Sequence, residues 1–401
     1  MGAIRGEYLP FFAPSIGDEE VREVTSALRS DWLTTGPRVQ QFEEELAAFV
    51  GAPAAAAVNS GTAALHVSLA TLGIGPGDAV VTTPLTFASS VHVIEHVGAR
   101  PVFADVEPDT LNIDPEAVGR VVKEAQAEGP GPVRAILPVH LHGHPCDLDA
   151  LTQIAEEHAL AIVQDAAHAL PSSWNGNPVG APLPGFTPMN LTCFSFYATK
   201  NITTGEGGML TGSPELVEEA RPWILHGMSR DAWRRYASDG SWHYDVLHAG
   251  FKYNMTDLAA ALGLVQLRRL PEFQARRLEI VARYDAAFAA VPELETPRVR
   301  AEAEHAWHLY AIRLNLDTLR IDRDGFIEEL ARRNIGTSVH FIPIHLYSYY
   351  RDRYGFRPED FPVAYGEYRR MVSLPLYPRM TDRDVDDVVE AVLAVVAEHR
   401  R

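Results

Sequence analysis

Two patterns of apolar residues recur along the chain. Short apolar runs rich in β-branched residues, such as 79–82 and 161–163, predict strands. They alternate with segments that have apolar residues every three or four positions, such as 116–127 and 148–158, which predict helices. The strand runs are apolar throughout, which is typical of parallel strands buried on both faces. The alternation therefore predicts an α/β fold with a mostly parallel sheet flanked by helices.

The pattern near the start of the chain predicts a first helix. From Ser15, a capping residue and early acids precede Val21, Val24 and Leu28. These three apolar residues have the spacing of a helix with one buried face. Further along, repeated Pro and Gly predict a surface loop at 180–185.

The pattern changes after about Leu270, where longer amphipathic helices replace the strands. Thr381 and the acids that follow it precede a row of valines at helical spacing, which predicts a capped C-terminal helix. We therefore expect an N-terminal segment and a large domain over residues 1–265, and a small C-terminal α+β domain over 266–401.

Composition narrows the classes of function. The 401 residues include 53 acidic and 35 basic side chains, and the net charge of −18 disfavours binding to nucleic acid or to anionic membranes. Only two cysteines are present, which excludes a disulfide framework and a four-thiolate metal site. We therefore expect a cytoplasmic protein whose partners are small molecules.

Lys200 is the most informative single residue. It lies between two apolar runs and is followed by a cluster of glycines at 205–208. Most lysines are solvated surface residues, but an apolar environment lowers the pKa of a lysine. The neutral amine then is a nucleophile that forms Schiff bases with carbonyl compounds. Glycines nearby allow backbone to approach a ligand closely.

Asp165 comes at the end of an apolar strand-like run. The carboxyl ends of parallel strands are where α/β sheets bind ligands, although an acid at this place can equally cap the next helix. Beside a Schiff-base lysine the carboxylate gains a role, because a pyridine-ring cofactor needs an acid that keeps its ring nitrogen protonated.

A candidate phosphate site follows the strand-like run that ends at Val58. Gly61 and Thr62 open a helix there, and a helix N-terminus attracts anions, although ordinary capping accounts for such a sequence as well. Ser195 offers a hydroxyl to the same phosphate. Phe87 is a candidate for stacking on the cofactor ring, with core packing as the alternative.

Histidines suggest a different chemistry. His140, His142 and His144 alternate along the chain, and alternate residues share one face of a strand, so a metal-dependent hydrolase is an alternative. Because no general base or supporting carboxylates are recognisable around them, we assign no metal ligand. His340 is expected to line a pocket or to satisfy a bond in the core.

Several of these motifs occur together in one order, and the set resembles the sugar-nucleotide aminotransferases, a DegT/StrS-like family of fold-type-I pyridoxal-phosphate enzymes. The resemblance runs nearly end to end. It is carried by segments 32–37, 60–62, 86–87, 165–168, 195–201, 205–208, 338–341 and 373–376. The chain departs from the family pattern at Gln164, where Glu is commoner, and in the Pro-rich stretch 181–190.

The resemblance implies a role for each matching residue. Lys200 would form the Schiff base and carry protons, Asp165 would pair with the pyridine nitrogen, and His168 would lie near the ring. Three residues would hold the phosphate and one would stack on the ring: Gly61, Thr62 and Ser195, and Phe87. A homodimer with shared sites is implied, in which Asn254 reaches the phosphate from the partner subunit. Candidate substrate-binding residues are Thr35, His340 and Phe341.

The resemblance also implies a reaction. L-Glutamate would donate its amino group in a ping-pong cycle, giving 2-oxoglutarate, and a nucleotide-linked keto sugar would accept it. The amino-acid sequence of segment 198–207 is most similar to that of enzymes that aminate carbon 4 of a sugar such as dTDP-4-keto-6-deoxyglucose. The alternatives are a carbon-3 aminotransferase, a sugar dehydratase, in which a histidine stands at the Lys200 position, and a non-catalytic cofactor-binding regulator.

Overall fold

The computed structural model describes residues 5–128, 131–186, 189–229 and 244–401. The helices of these residues are α1 (Asp18–Leu28), α2 (Pro37–Val50), α3 (Gly61–Thr71), α4 (Ser89–His96), α5 (Pro115–Glu128), α6 (Leu148–Glu157), α7 (Pro214–Ile224), α8 (Asp257–Phe288), α9 (Arg323–Arg332), α10 (Ser348–Tyr354), α11 (Pro362–Tyr368) and α12 (Asp382–His399). Short 3-10 helices lie at Leu141–Gly143, Ile344–Leu346 and Pro358–Asp360.

The strands form three sheets. They are β1 (Ala54–Val58), β2 (Ala79–Thr82), β3 (Arg100–Phe103), β4 (Val133–Leu137), β5 (Ala161–Asp165), β6 (Ser173–Trp174), β7 (Asn177–Pro178), β8 (Asn190–Ser195), β9 (Gly208–Gly212), β10 (Leu294–Glu295), β11 (Ala303–Glu304), β12 (Tyr310–Leu314) and β13 (Met371–Leu374). The main sheet has seven strands in the order β1-β9-β8-β5-β4-β2-β3. The two smaller sheets are β10-β12-β13 and β11-β6-β7.

The main sheet is mixed but mostly parallel, as the sequence predicts. Strands β8, β5, β4, β2 and β3 run parallel, and β9 is antiparallel to both of its neighbours. Apolar clusters cover both faces, because each strand sends alternate side chains to opposite sides. Residues Val80 and Val163 belong to one cluster, whereas Val81 and Ile162 belong to another. Burial on both faces explains the continuous apolar runs in the sequence.

The C-terminal part packs around a core of its own. The second half of α8 and the valines of α12 enclose the small sheet β10-β12-β13. Helix α12 begins as predicted: Thr381 Oγ1 accepts from Asp384 N, and the Asp384 carboxylate accepts from Thr381 N. The predicted division at residues 265 and 266 falls within α8, which is continuous from Asp257 to Phe288. The assignment of two domains stays a prediction.

Two local predictions are corrected by the structure. Helix α1 forms, but Val21 and Leu28 are both 58% exposed, and its buried residues are Glu20 and Ala27. The spacing of apolar residues predicted the position of the helix correctly. It did not predict which side of the helix packs against the rest of the protein. The segment 180–185 is only partly a surface loop, since Ala181 and Leu183 are buried.

None of the helices in the described ranges is both long enough and apolar enough to cross a membrane.

Candidate active site

The candidate residues converge at the carboxyl ends of two adjacent parallel strands. Asp165 ends β5 and lies opposite Cys193 of β8, which places Ser195 one strand away from the acid. Lys200 follows in the turn after β8, where its backbone N–H donates to Tyr197 O at 2.9 Å. This edge of an α/β sheet binds ligands because the strands end there and free side chains project beyond them.

Lys200 has an unusual electrostatic environment. Burial lowers the pKa of its amine to about 8, and the negative charge of Asp165 opposes that shift without cancelling it. At neutral pH an appreciable fraction of the amine is therefore neutral. A neutral amine on this turn can attack a carbonyl carbon.

Asp165 is 5% exposed and both of its carboxylate oxygens accept hydrogen bonds. Ser90 Oγ donates to Oδ2 at 2.7 Å, and Ala167 N donates to Oδ1 at 3.1 Å. The pKa of Asp165 is raised above its usual value, because burial outweighs these two bonds and the nearby Lys200, which lower it. The group is thus a buried acid supported in its charged form by two donors and one cation.

The N-terminus of α3 packs closely against β8 and β9 and is the candidate anion site. Ser60 caps the helix by accepting from Ala63 N at 3.0 Å, which leaves the first N–H groups of the helix unpaired by the cap. A Cβ atom at Gly61 would lie 2.8 Å from Ser195 Cβ, and one at Gly208 would lie 2.7 Å from Gly61 N. The glycines therefore allow the helix end and Ser195 to meet closely.

His168 is at the centre of a group of aromatic rings. Its ring lies 4.4 Å from that of His308 and 5.8 Å from that of Phe341, measured between centroids. The Phe341 ring in turn lies 5.8 Å from the ring of Phe87, which is 60% exposed. Phe87 thus presents an open aromatic face, and the structure brings the rings of His168, Phe341 and Phe87 close together.

His340 and His142 are linked to each other through the backbone. His142 Nε2 lies 2.9 Å from His340 O, and His340 Nδ1 lies 2.9 Å from Ser373 Oγ. Burial lowers the pKa of His340 to about 3 and that of His142 to about 4. Both imidazoles are neutral at physiological pH, so they act here as hydrogen-bonding groups without charge.

The alternating histidines do not share a strand face. Residues 141–143 form a 3-10 turn, and His142 has a positive φ of 59°. His140 bonds Gln164 Oε1 at 3.0 Å, while His144 bonds Asn112 Nδ2 at 3.3 Å. Within the described ranges, none of the three belongs to a cluster of groups that could hold a metal ion. The strand argument for a metal hydrolase is therefore wrong.

Gln164 has a local reason to replace glutamate. It is fully buried, its Oε1 lies 3.0 Å from His140 Nε2, and its Nε2 donates to Asn190 Oδ1 at 3.0 Å. A carboxylate could not donate the second of these bonds.

Thr35 and Asn254 lie together on the same chain. Asn254 Nδ2 donates to Thr35 Oγ1 at 2.8 Å, and Thr35 Oγ1 donates to Met255 O at 2.6 Å. Asn254 also forms a bridge with Val58, just before the anion site of α3. Both side chains are half-buried.

The sequence reading missed three residues that contact the site. Ser90 bonds Asp165 and Thr86, which lies four residues earlier, before the start of α4. His308 and Arg277 come from distant parts of the chain. Arg277 Nη1 donates to the carbonyls of Trp307 and Leu376 at 3.1 and 2.9 Å, and no motif marks it.

The residues present fit pyridoxal phosphate. The anion site accommodates a phosphate, Asp165 matches a protonated ring nitrogen, and Lys200 matches an aldehyde carbon. This arrangement on a mixed, mostly parallel sheet is that of the fold-type-I pyridoxal-phosphate enzymes, the fold class that the sequence predicts.

Comparison with known proteins identifies the family within that class. Residues 14–393 match the DegT/DnrJ/EryC1/StrS aminotransferase family, and the chain belongs to it. The chain is 50% identical over 394 residues to the spore coat polysaccharide biosynthesis protein SpsC of Bacillus subtilis, with 98% of each chain covered.

Solved structures agree with this assignment. The PLP form of Spr1654 from Streptococcus pneumoniae, assigned as a sugar aminotransferase, has a TM-score of 0.88 at 35% identity and covers 98% of this chain and 99% of its own. PseC of Helicobacter pylori, an aminotransferase involved in the biosynthesis of pseudoaminic acid, has a TM-score of 0.87 at 27% identity, with 98% and 100% covered. Spr1654 is also known in a PMP form. The predictions of family, fold class and pyridoxal phosphate are confirmed, and the chain is a PLP-dependent sugar aminotransferase.

Proposed function

We propose that this enzyme transfers the amino group of L-glutamate to carbon 4 of a nucleotide-linked 4-keto-6-deoxy sugar, with dTDP-4-keto-6-deoxyglucose as the leading candidate. The observation that carries the catalytic part is the pairing of Lys200, whose pKa burial lowers to about 8, with the buried carboxylate of Asp165. The similarity of segment 198–207 to the carbon-4 enzymes supports the choice of carbon. The acidic chain, with a net charge of −18, fits a cytoplasmic enzyme that acts on small molecules.

Each residue has a defined task in this proposal. Lys200 Nζ would hold the cofactor, and its amine would take a proton from the amino donor and give one to the sugar carbon. Asp165 holds the proton on the ring nitrogen, and bound pyridoxal phosphate supplies the electron sink that makes the substrate carbon acidic. The phosphate is held by the N–H groups at Gly61 and Thr62 and by the Ser195 hydroxyl.

The rings around the site exclude water and orient the ligands. Phe87 would stack on the cofactor ring, and His168, neutral because burial lowers its pKa, would serve as a hydrogen-bonding partner near that ring. His340 and Phe341 line the sugar side, where the neutral imidazole offers a hydrogen bond to a hydroxyl group of the sugar.

The first test is spectroscopic. The purified protein with pyridoxal phosphate should show the visible absorbance of a lysine-bound cofactor, and L-glutamate should convert it to the pyridoxamine form. The chain has three lysines, Lys123, Lys200 and Lys252, so borohydride reduction and peptide mapping can identify the attachment site unambiguously. Lys200→Ala should abolish the labelled peptide, and Lys123→Ala, on the exposed face of α5, is the matched control. A protein that stays colourless with added cofactor would contradict the proposal.

The second test concerns the sugar. The glutamate-treated enzyme is offered dTDP-4-keto-6-deoxyglucose or the 3-keto isomer, and NMR of the product shows which carbon carries nitrogen. Return of the visible absorbance with the 4-keto sugar alone supports the proposal. Nitrogen at carbon 3 would contradict the position of transfer while leaving a sugar aminotransferase, and a dehydrated product would contradict transfer itself.

We further propose a homodimer whose sites are shared. Four large apolar side chains that precede Thr35 in the chain are exposed: Val21, Leu28, Trp32 and Leu33. Exposed apolar patches of this kind usually mark interfaces. In the dimer, Asn254 would reach the phosphate bound by the partner subunit, and Thr35, which Asn254 contacts, would lie beside it.

Complementation tests the shared site. Lys200→Ala and Asn254→Ala are co-expressed at equal levels, each alone having little activity. In a mixed dimer with shared sites, one of the two sites has both residues intact, so random pairing restores about a quarter of the wild-type sites. If each site uses residues of one chain only, mixing restores nothing beyond the sum of the two variants.

A further inference from the structure

Ser90 contacts the buried acid of the site from a neighbouring helix. Its hydroxyl donates to Asp165 Oδ2 at 2.7 Å, and Ser90 is fully buried while Asp165 is 5% exposed. Water therefore does not compete for this bond, and a hydrogen bond to a charged group in such a place contributes more than one at the surface.

The hydrogen bonds that link Thr86, Ser90 and Asp165 have a defined order of donors and acceptors. Ser90 has one hydroxyl proton and two acceptors within reach, Asp165 Oδ2 at 2.7 Å and Phe87 O at 3.2 Å. Thr86 Oγ1 lies 2.8 Å from Ser90 Oγ, and both hydroxyls are buried. Because Ser90 gives its proton to the carboxylate, Thr86 must donate to Ser90. The order Thr86 to Ser90 to Asp165 ends in an acceptor, and this arrangement favours the ionised carboxylate, whose two oxygens both only accept.

The backbone turn that leads into α4 also carries Phe87, the candidate stacking residue. Ser90 N donates to Phe87 O at 3.3 Å at the start of α4. One turn of backbone therefore fixes both the ring of Phe87 and the hydroxyl that orients Asp165. The spacing between the stacking face and the acid is set by this turn.

We propose that Ser90 is a positioning residue, which keeps Asp165 ionised and fixes the direction of its carboxylate toward the ring nitrogen of the cofactor. This inference rests on the proposed function of Lys200 and Asp165. It assigns to the Thr86–Ser90 hydroxyl pair a role in cofactor affinity and not only in packing.

The titratable groups around Asp165 determine how the affinity for the cofactor depends on pH. Lys200 faces it with a pKa of about 8, and burial raises the pKa of the Cys146 and Cys193 thiols and lowers that of His168. The two thiols and the imidazole are therefore neutral at mildly acidic and neutral pH. Lys200 titrates within the measured range in the wild type and in Ser90→Ala alike, so a difference between these two proteins on the acid limb reports Asp165, whose pKa the Ser90 hydrogen bond lowers.

The experiment compares Ser90→Ala with Ser89→Ala, the same change one residue earlier on the same helix. The dissociation constant for pyridoxal phosphate is measured from pH 5 to 9 on the apoprotein. Ser90→Ala should weaken binding about tenfold or more near neutral pH. It should also shift the acid limb to higher pH, because a lost donor raises the pKa of the carboxylate. Ser89→Ala should match the wild type, and Ser90→Thr, which keeps the hydroxyl, should restore most of the affinity.

The outcomes separate positioning from packing. Weaker binding by the same factor at every pH, or binding equal to that of Ser89→Ala, would overturn the inference. If Ser90→Ala does not fold, Thr86→Val decides, since loss of the first donor should move the acid limb in the same direction by less. A wild type that binds no cofactor would refute the proposed function instead, whereas a binding wild type with an unaffected Ser90→Ala refutes only this inference.

Discussion

His308 donates a hydrogen bond from Nδ1 to Oδ1 of Asn201 at 3.1 Å, and Asn201 follows Lys200 directly in the chain. The direction follows because Asn201 Nδ2 already donates to Ala306 O at 2.8 Å, which leaves the amide oxygen as the acceptor. The turn that bears Lys200 is thus tied to the segment just before β12. Two segments that are 107 residues apart in the chain therefore determine where the lysine lies.

This bond leads to a prediction for His308. In His308→Phe the buried Asn201 oxygen loses its donor, so the Lys200 turn should loosen and half-reaction rates with L-glutamate should fall about tenfold. His308→Asn can place an amide N–H near the position of Nδ1 and should lose less. Stopped-flow absorbance measures both. Equal rates in His308→Phe and the wild type would show that the bond does not position the lysine.

A second prediction concerns Lys200 and stability. Burial lowers its pKa from 10.5 to about 8, so between these values the unfolded chain binds more protons than the folded apoprotein. The contribution of Lys200 to stability therefore rises with pH across this window, and below pH 8 burial of the charged amine opposes folding. Lys200→Met should raise the free energy of unfolding of the apoprotein at pH 7 by about 1–2 kcal/mol.

The check is urea denaturation without cofactor at pH 7 and pH 10. The advantage of Lys200→Met should shrink at the higher pH, because the wild-type amine is then neutral in the folded state. A difference that stays constant with pH would show that the gain came from packing and not from the charge.

The anion site gives a third prediction. Gly61→Ala places a Cβ atom 2.8 Å from Ser195 Cβ, so the helix end and the hydroxyl must separate. Affinity for pyridoxal phosphate should fall about tenfold or more, since phosphate loses aligned donors. Gly366→Ala is the control, because its Cβ meets nothing within 4 Å, and it should bind normally. Titration by absorbance distinguishes the two variants.

Arg277 gives a fourth prediction. It is 1% exposed, its Nη1 donates to carbonyls of Trp307 and Leu376, and burial without a facing carboxylate lowers its pKa to about 9. Arg277→Met leaves these carbonyls without a donor and should reduce the free energy of unfolding by about 2–4 kcal/mol.

A surface arginine serves as the comparison for Arg277. Arg120 is 62% exposed, and its contacts with Asp114 and Glu116 are 3.8 and 4.0 Å long. Arg120→Met should change stability by less than about 1 kcal/mol. Similar losses in the two variants, measured by urea denaturation, would contradict the role given to the buried guanidinium.

The sequence determined much of this enzyme by itself. Continuous apolar runs located buried parallel strands such as β2 and β5, and the capping pattern at Thr381 located the start of α12. The motif around Lys200 and the acid at Asp165 led to the cofactor. These features are local, because strand and helix periodicity and strand-end residues depend on neighbours in the chain.

The tertiary structure alone decided which distant side chains meet. His308 and Arg277 reach the Lys200 region because β12 and α8 pack there, and no local pattern records such a contact. Helix α1 shows the same limit, because its apolar residues Val21 and Leu28 are exposed. The spacing of apolar residues shows which side of a helix is apolar, but not which other segment packs against that side. Periodicity is a property of one segment, whereas burial and hydrogen bonding are properties of two segments that folding brings together.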